Sequence, residues 1–455
     1  MRHIYTPAGL AGTLLLLLPA ASLAAGLTGT VTPSMAAGDF DGDTRLDRVF
    51  GYPQANGSEG VVKIVYGSQV IEVWNRDSPG VLGSDAAGDY LGDSVAVGDF
   101  DGDGYDDLAI GAPGDDTTAG SNVGTITVLY GSSSGITGNF DQLYSQNTPG
   151  IANAEESYDA YGEFLQAGDF NCDGYDDLAV GIPQENISTS DTNGGAVNVI
   201  YGSSGGLTAL NDWFHQDTTD VTGSVQSSDN FGASLLAANF TGDFSGGHAC
   251  DDLIVGVPGE DIGYADVGAM QLFPGDPSGL DIAQDVWFRQ AYQGAEGSRE
   301  ANDEFASWLY GTSTSADGFA DATVRVPGDA CEPEGMALQV FDGSSSGLNT
   351  ATDELLCVNV AGGLQALADE FSTCVLETGF CDCSQEFRDA VAQTSLPSKA
   401  REPWMCTVKL QAASDFCVDV PAQAVPTSSI LALDCIEASE EAWNGCNYGT
   451  VEGEL

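Results

Sequence analysis

Residues 90–114 read YLGDSVAVGDFDGDGYDDLAIGAPG, and the line continues as GTITVLYGSSSGI from Gly124 to Ile136. SVAVGDF, DLAIGAP and TITVLYG are short runs rich in Val, Ile, Leu and Tyr, each bounded by Gly, Pro, Asp or Ser, which is the signature of successive strands and turns. The same block recurs. Tyr161-Gly162 leads into AGDFNCDGYDDLAVGIP (residues 167–183) and AVNVIYGSSGGL, and Phe231-Gly232 leads into AANFTGDFSGGHACDDLIVGVPG (residues 237–259) and AMQLFPGDPSGL. The acidic turns of these copies and of an earlier one begin at Asp39, Asp99, Asp169 and Asn239, at steps of 60, 70 and 70 residues.

A period of that length exceeds the ~40–50 residues of short-blade propellers and suits a four-stranded unit with one long loop. Repeated four-stranded units arrange as blades around an axis. No stretch before about residue 350 shows the 3.6-residue apolar period of a long helix. Fainter copies extend the series. DEFASWLYGTSTSADGFADATVRVPG, from Asp303 to Gly328, keeps Asp317, Gly318 and Asp321 but has Ser313 and Ser315 in place of the first acidic pair, so its loop is expected to be metal-free. A sixth starts at Asp369-Glu370-Phe371 and places Asp389 where Asp321 stands. The expected fold is all-β: a propeller of six to seven blades, seven favoured, with the tail after Asp415 supplying a last blade or closing the ring, because propellers must hide their edges.

The acidic turns carry the chemistry. Each strong copy places acids at alternate positions of a tight loop: Asp39, Asp41, Asp43 and Asp47; Asp99, Asp101, Asp103 and Asp107; Asp169, Asn171, Asp173 and Asp177. Carboxylates held a few ångström apart repel by roughly 4 kcal/mol per close pair at an effective dielectric of about 20, so such a loop calls for a cation. Oxygen-only donors in a many-membered loop suit Ca²⁺ better than Mg²⁺, which demands a stricter octahedron. Arg45, Tyr105 and Tyr175, at position seven, are expected to offer their backbone carbonyls, while Gly104 and Gly174 permit the bend at position six, where the first loop has Thr44. These are not EF-hands: the Glu at position twelve is missing and the flanks are strands. The fourth loop, Asn239, Thr241, Asp243 and Asp252, carries a five-residue insertion. Three to four calcium ions are expected.

The Tyr-Gly or Phe-Gly start, the DxDxDGxxD loop and the turn Gly111-Ala112-Pro113 resemble the FG-GAP repeat of integrin α-subunit propellers and of many secreted bacterial proteins, over roughly residues 30 to 350. The resemblance implies a propeller, usually seven-bladed, with calcium loops on one face and recognition of protein or glycan on another. Leg domains, a membrane span and a cytoplasmic tail are not evident, so an integrin subunit itself is not expected.

Composition narrows the partners. Twelve Lys plus Arg against sixty-eight Asp plus Glu give a formal net charge of -56, which excludes nucleic acid and anionic membranes as counterparts. With 42% hydrophobic residues the chain is expected to fold in spite of that charge. Arg2 and His3, the apolar run Leu10 to Leu18 and the small residues around Ser22-Leu23-Ala24 read as an export signal. A secreted or cell-surface location follows, and eleven cysteines fit an oxidising compartment. Eight of them lie from Cys357 onward, which predicts a disulfide-stapled end. Cys172, Cys250 and Cys331 stand outside it, and one thiol is left over. The expected division is residues 1–25 signal, 26–350 propeller repeats, and 351–455 a degenerate repeat with a cysteine-rich region that closes or caps the ring.

An extracellular adhesion or recognition module with structural calcium is the expected function. Alternatives are a secreted hydrolase or lyase acting on polysaccharide or lipid, since similar repeats occur in some phospholipases, and a non-catalytic scaffold. No GxSxG nucleophile elbow, HExxH helix or phosphate loop is read, and of three histidines His215 and His248 fall in loops. No catalytic residue is therefore assigned.

Overall fold

The computed structural model describes residues 34–359, apart from residues 69, 292–297, 313–318, 332–334 and 346. The expected signal, the loop with Ser313, Ser315 and Asp317, the sixth copy and the cysteine-rich end lie outside the described residues.

Within them the chain is β throughout, the helical turns being Ala55–Ser58 and Ile282–Gln284. Five four-stranded antiparallel sheets follow one another, and with the FG-GAP repeats they make the fold a β-propeller. Blade 1 comprises Met35–Gly38, Asp47–Tyr52, Val61–Val65 and Ile71–Trp74. Blade 2 comprises Val95–Gly98, Asp107–Ala112, Thr125–Tyr130 and Thr137–Tyr144, and blade 3 Phe164–Gly168, Asp177–Ile182, Ala196–Ile200 and Asn211–Phe214. Blade 4 comprises Ser234–Ala238, Asp252–Val257, Ala269–Phe273 and Val286–Phe288; blade 5 comprises Leu309–Thr312, Asp321–Cys331, Gly335–Asp342 and Asn349–Asn359. The first strands of successive blades adjoin one another around the axis.

Burial explains why the second strands read as unbroken apolar runs. DLAIGA, DLAVGI and DLIVGV are buried at every position because each blade is covered on both faces by its neighbours. The apolar clusters accordingly sit between blades. Phe40, Val49 and Ile64 of blade 1 meet Leu108, Ile110 and Leu129 of blade 2, while Val197, Phe214 and Phe231 meet Val255 and Phe273 across the next junction but one.

The motif that marks the repeat has a structural cause. The aromatic that opens a blade is tied to the preceding blade through its backbone N–H, Tyr161 to the Val123 carbonyl at 2.9 Å and Phe231 to the Gly194 carbonyl at 3.1 Å. The glycine after it then lays its carbonyl against the glycine of the preceding Gly-Ala-Pro turn. A Cβ on Gly111 would stand 1.9 Å from the Gly162 oxygen, so this crossing admits only glycine. Ser94 Oγ donates to the same Gly162 carbonyl at 2.6 Å, and Ser34 and Ser234 do likewise to Gly92 and Ala306. Ser94→Ala is expected to cost about 1 kcal/mol, measured from the urea midpoint, by leaving that buried carbonyl short of a donor.

Candidate functional site

The acidic loops join the first and second strands of blades 1 to 3, all at the same end of their sheets. Their internal hydrogen bonds repeat. In the second loop Asp103 N–H donates to Asp99 Oδ1 at 3.0 Å and to Asp101 Oδ1 at 3.1 Å, Gly104 N–H to Asp99 Oδ2 at 3.0 Å, and Tyr105 N–H to Asp103 Oδ1 at 3.0 Å. The first loop does the same with Asp39, Asp41, Asp43, Thr44 and Arg45, and the third with Asp169, Asn171, Asp173, Gly174 and Tyr175. Thr44 adopts the left-handed conformation of Gly104 and Gly174, with φ of 67° against 88° and 87°, so its side chain has not altered the turn.

The last acid of each loop is fully buried at the foot of the second strand. Asp107 accepts from Phe100 N–H and from Gly131 N–H, both at 2.9 Å, and Asp47 and Asp177 repeat the pattern. These bonds orient the carboxylate beneath the loop. One oxygen each of Asp39, Asp41 and Asp43, and one each of Asp99, Asp101 and Asp107, fall within 4.8 Å of one another. The donor set is oxygen alone, with several carboxylates per loop, which fits a hard cation such as Ca²⁺.

The fourth loop differs. Its insertion folds into a two-residue ribbon, Phe244–Ser245 against His248–Ala249. Asn239 Oδ1 accepts from Asp243 N–H at 3.1 Å, and Thr241 Oγ donates to both oxygens of Asp252 at 3.1 and 3.0 Å. Hydrogen bonds within the loop thus take up the oxygens of Asn239 and Asp252. Cys250, brought round by the ribbon, forms a disulfide with Cys172 of the third loop. His248 is exposed and lies against Gly174.

A further set of acids joins the loops into a chain. Asp106 Oδ2 accepts from Asp39 N–H of the preceding loop at 2.6 Å, Asp176 from Asp99 N–H at 2.8 Å, and Asp251 from Asp169 N–H at 3.2 Å. The signal for them was the doublet Asp-Asp ahead of Leu in all three copies. The side chain at position seven also serves the neighbouring loop. Tyr105 covers Gly42, where a Cβ would stand 2.6 Å from its ring, and Tyr175 covers Gly102 likewise.

Burial, with the repulsion of Asp101 and Asp99, pushes the Asp107 carboxyl up to about 8. Asp177 is pushed up to about 8 and Asp47 to about 7, again by burial first. A carboxyl whose folded pKa exceeds its unfolded value contributes stability that is complete below pH ~4 and is lost as pH rises through the folded value. In chelator the chain is therefore expected to melt at progressively lower temperature from pH 5 to 9. The stabilisation added by calcium should widen over the same range, because an ion takes deprotonated ligands. Paired melts across that range check both trends, and a calcium increment that shrinks as pH rises would contradict them.

Comparison with known proteins agrees with this architecture. The family model for the FG-GAP repeat matches residues 91–129 and 161–200. Integrin alpha-PS2 of Drosophila melanogaster is 33% identical over 175 residues, 37% of this chain and 11% of that protein. Integrin alpha-5 of Xenopus laevis is 31% identical over 236 residues, 50% of this chain and 20% of that protein. The phosphatidylinositol-glycan-specific phospholipase D of Bos taurus is 34% identical over 169 residues, 37% of this chain and 18% of that enzyme. The matched stretch is thus at most a fifth of any of these relatives. The chain carries FG-GAP repeats, folded into a β-propeller that resembles that of the integrin α subunits.

Proposed function

We propose that the chain is an extracellular recognition propeller whose loops at Asp39, Asp99 and Asp169 each hold a structural calcium ion. The ligands are the side chains at positions one, three, five and nine of each loop with the carbonyl at position seven, that of Arg45, Tyr105 or Tyr175. The observation that carries this reading is the repetition of one hydrogen-bonded geometry in three loops at the same end of consecutive blades. A solvated surface turn has no reason to keep four aligned oxygen-bearing side chains, acids but for Asn171, three times over. The fourth loop, Asn239, Thr241, Asp243 and Asp252, offers two carboxylates and is the weakest of the four sites.

Calcium acts here on rigidity. Bound ions stabilise the blades by mass action, and the Asp106, Asp176 and Asp251 links carry that order from one loop to the next. Recognition then belongs to loops at the other end of the sheets. A cavity of about 270 Å³ opens there, lined by Tyr90, Tyr158, Asp93 and Glu163 among others. Tyrosine faces and carboxylates suit a glycan or a protein side chain. Among the described residues no helix is long and apolar enough to cross a membrane.

A hydrolytic reading rests on the likeness to the bovine phospholipase D, of which the matched stretch is 18%. Both readings meet in one experiment, in which the exported chain is immobilised and challenged with matrix proteins and polysaccharides in calcium and in chelator. Calcium-dependent retention of a protein or glycan supports the recognition module. Release of a lipid headgroup from a glycosylphosphatidylinositol, without retention of any such ligand, would replace it with the enzyme.

A further inference from the structure

The repeat carries a second polar constellation, at the blade junctions and at the sheet ends opposite the acidic loops. It comprises the second residue after a blade's last strand, the acid two residues before the Leu91, Tyr161 or Phe231 that opens the next blade, and the acid after the next Pro-Gly or Pro-Gln turn. At the junction of blades 1 and 2 these are Arg76, Asp89 and Asp115. The Arg76 guanidinium lies 3.6 Å from Asp89 Oδ2 and 2.6 Å from Asp115 Oδ2. Arg76 and Asp89 are each 3% exposed and Asp115 is half-buried, so the two carboxylates are matched by a buried cation.

At the next junction the same places hold Gln146, Asp159 and Glu185, and the cation is gone. Gln146 donates its amide N–H to Glu185 Oε2 at 2.9 Å. In place of Ala86, the exposed residue three before the first acid is Glu156, a third carboxylate. One oxygen each of Glu156, Asp159 and Glu185 lies within 4.8 Å of the others. Asp159 is fully buried and Gln146 is 1% exposed, and neither Asp159 Oδ1 nor Gln146 Oε1 has a hydrogen-bond partner. Orphaned buried oxygens beside a like-charged cluster are costly unless a cation or a proton meets them. The charges acting on Asp159 are those of Glu156 and Glu155, both of which raise its pKa after burial.

We propose that Glu156, Asp159 and Glu185, with the amide oxygen of Gln146, bind a divalent cation of the calcium type at the junction of blades 2 and 3, in the place that the Arg76 guanidinium fills one junction earlier. The site is distinct from the three loops and lies on the opposite face of the propeller. Glu156 is its solvent-exposed member and gives the ion a way in. The junction of blades 3 and 4 has Gln216, Asp229 and Glu260, with Gln216 Oε1 and Asp229 Oδ1 likewise without a partner, but Gln226 stands in place of Glu156 and Arg289 acts on Glu260. It therefore lacks the third carboxylate and has a cation nearby, and it is not assigned an ion.

The test counts calcium by equilibrium dialysis on the whole exported chain, in the wild type, in Gln146→Arg, in Glu185→Gln, and in the loop variant Asp101→Ala/Asp103→Ala. Gln146→Arg restores the guanidinium of the preceding junction, so it is expected to bind one ion fewer than wild type and to melt higher than wild type in chelator. Glu185→Gln should also lose one ion, which keeps the test open if the arginine is not accommodated. Either junction variant combined with the loop variant should lose two. Junction variants that bind as many ions as wild type would overturn the proposal and leave a shared proton as the partner of these carboxylates, whatever the loop variant shows.

Discussion

The Asp101→Ala/Asp103→Ala chain is expected to bind one calcium ion fewer and to lose about 2.7 kcal/mol of stability when calcium stands at 100 times its dissociation constant. In excess chelator its melting curve should lie close to wild type. Two effects offset there: the Ala side chains give up the turn bonds from Asp103 and Tyr105 N–H, while the repulsion among Asp99, Asp101 and Asp103 is relieved. Calorimetric melts with and without calcium separate the two conditions. An equal loss in both would mean that these carboxylates stabilise the turn by hydrogen bonding alone.

Phe231→Ala should behave in the opposite way. The ring is fully buried and meets Phe214 and Phe273 at centroid distances of 6.0 and 6.2 Å, across the junction of blades 3 and 4. Truncation leaves a cavity among rigid strands that cannot collapse onto it, so the expected cost is about 3–5 kcal/mol. The cost should be the same in calcium and in chelator, because the cluster contains no charge. A loss below about 1 kcal/mol in a denaturant melt would show that the blades rearrange around the missing ring.

The strands and the acidic loops were legible because each is a local pattern. Val95 to Gly98 announces a strand through its short apolar run and a turn through Asp99 and the acids that follow, and a similar text three times fixes the repeat. Residues whose partners lie some 70 positions away were harder to read. Asp106, Asp176 and Asp251 looked like neighbours of a ligand, yet each caps the backbone of the preceding loop. Cys172 and Cys250 were left without partners for the same reason: the ribbon at Phe244–Ala249 that swings Cys250 toward the third loop is built from the insertion, which no other copy shares. The exchange of Arg76 for Gln146 is visible only once the two junctions are superimposed, because nothing in WNRDSPG or YSQNTPG signals that the third residue faces a buried acid.

The rigidity of this propeller depends on whether its acidic loops are metal sites. Calcium titration by calorimetry on the exported chain, with melts in calcium and in chelator alongside, tests that most directly. At least three ions per chain and a large upward shift in melting temperature are the predicted result. No heat of binding and superimposable melts would contradict it, reducing the loops at Asp39, Asp99 and Asp169 to solvated turns and removing calcium from the account.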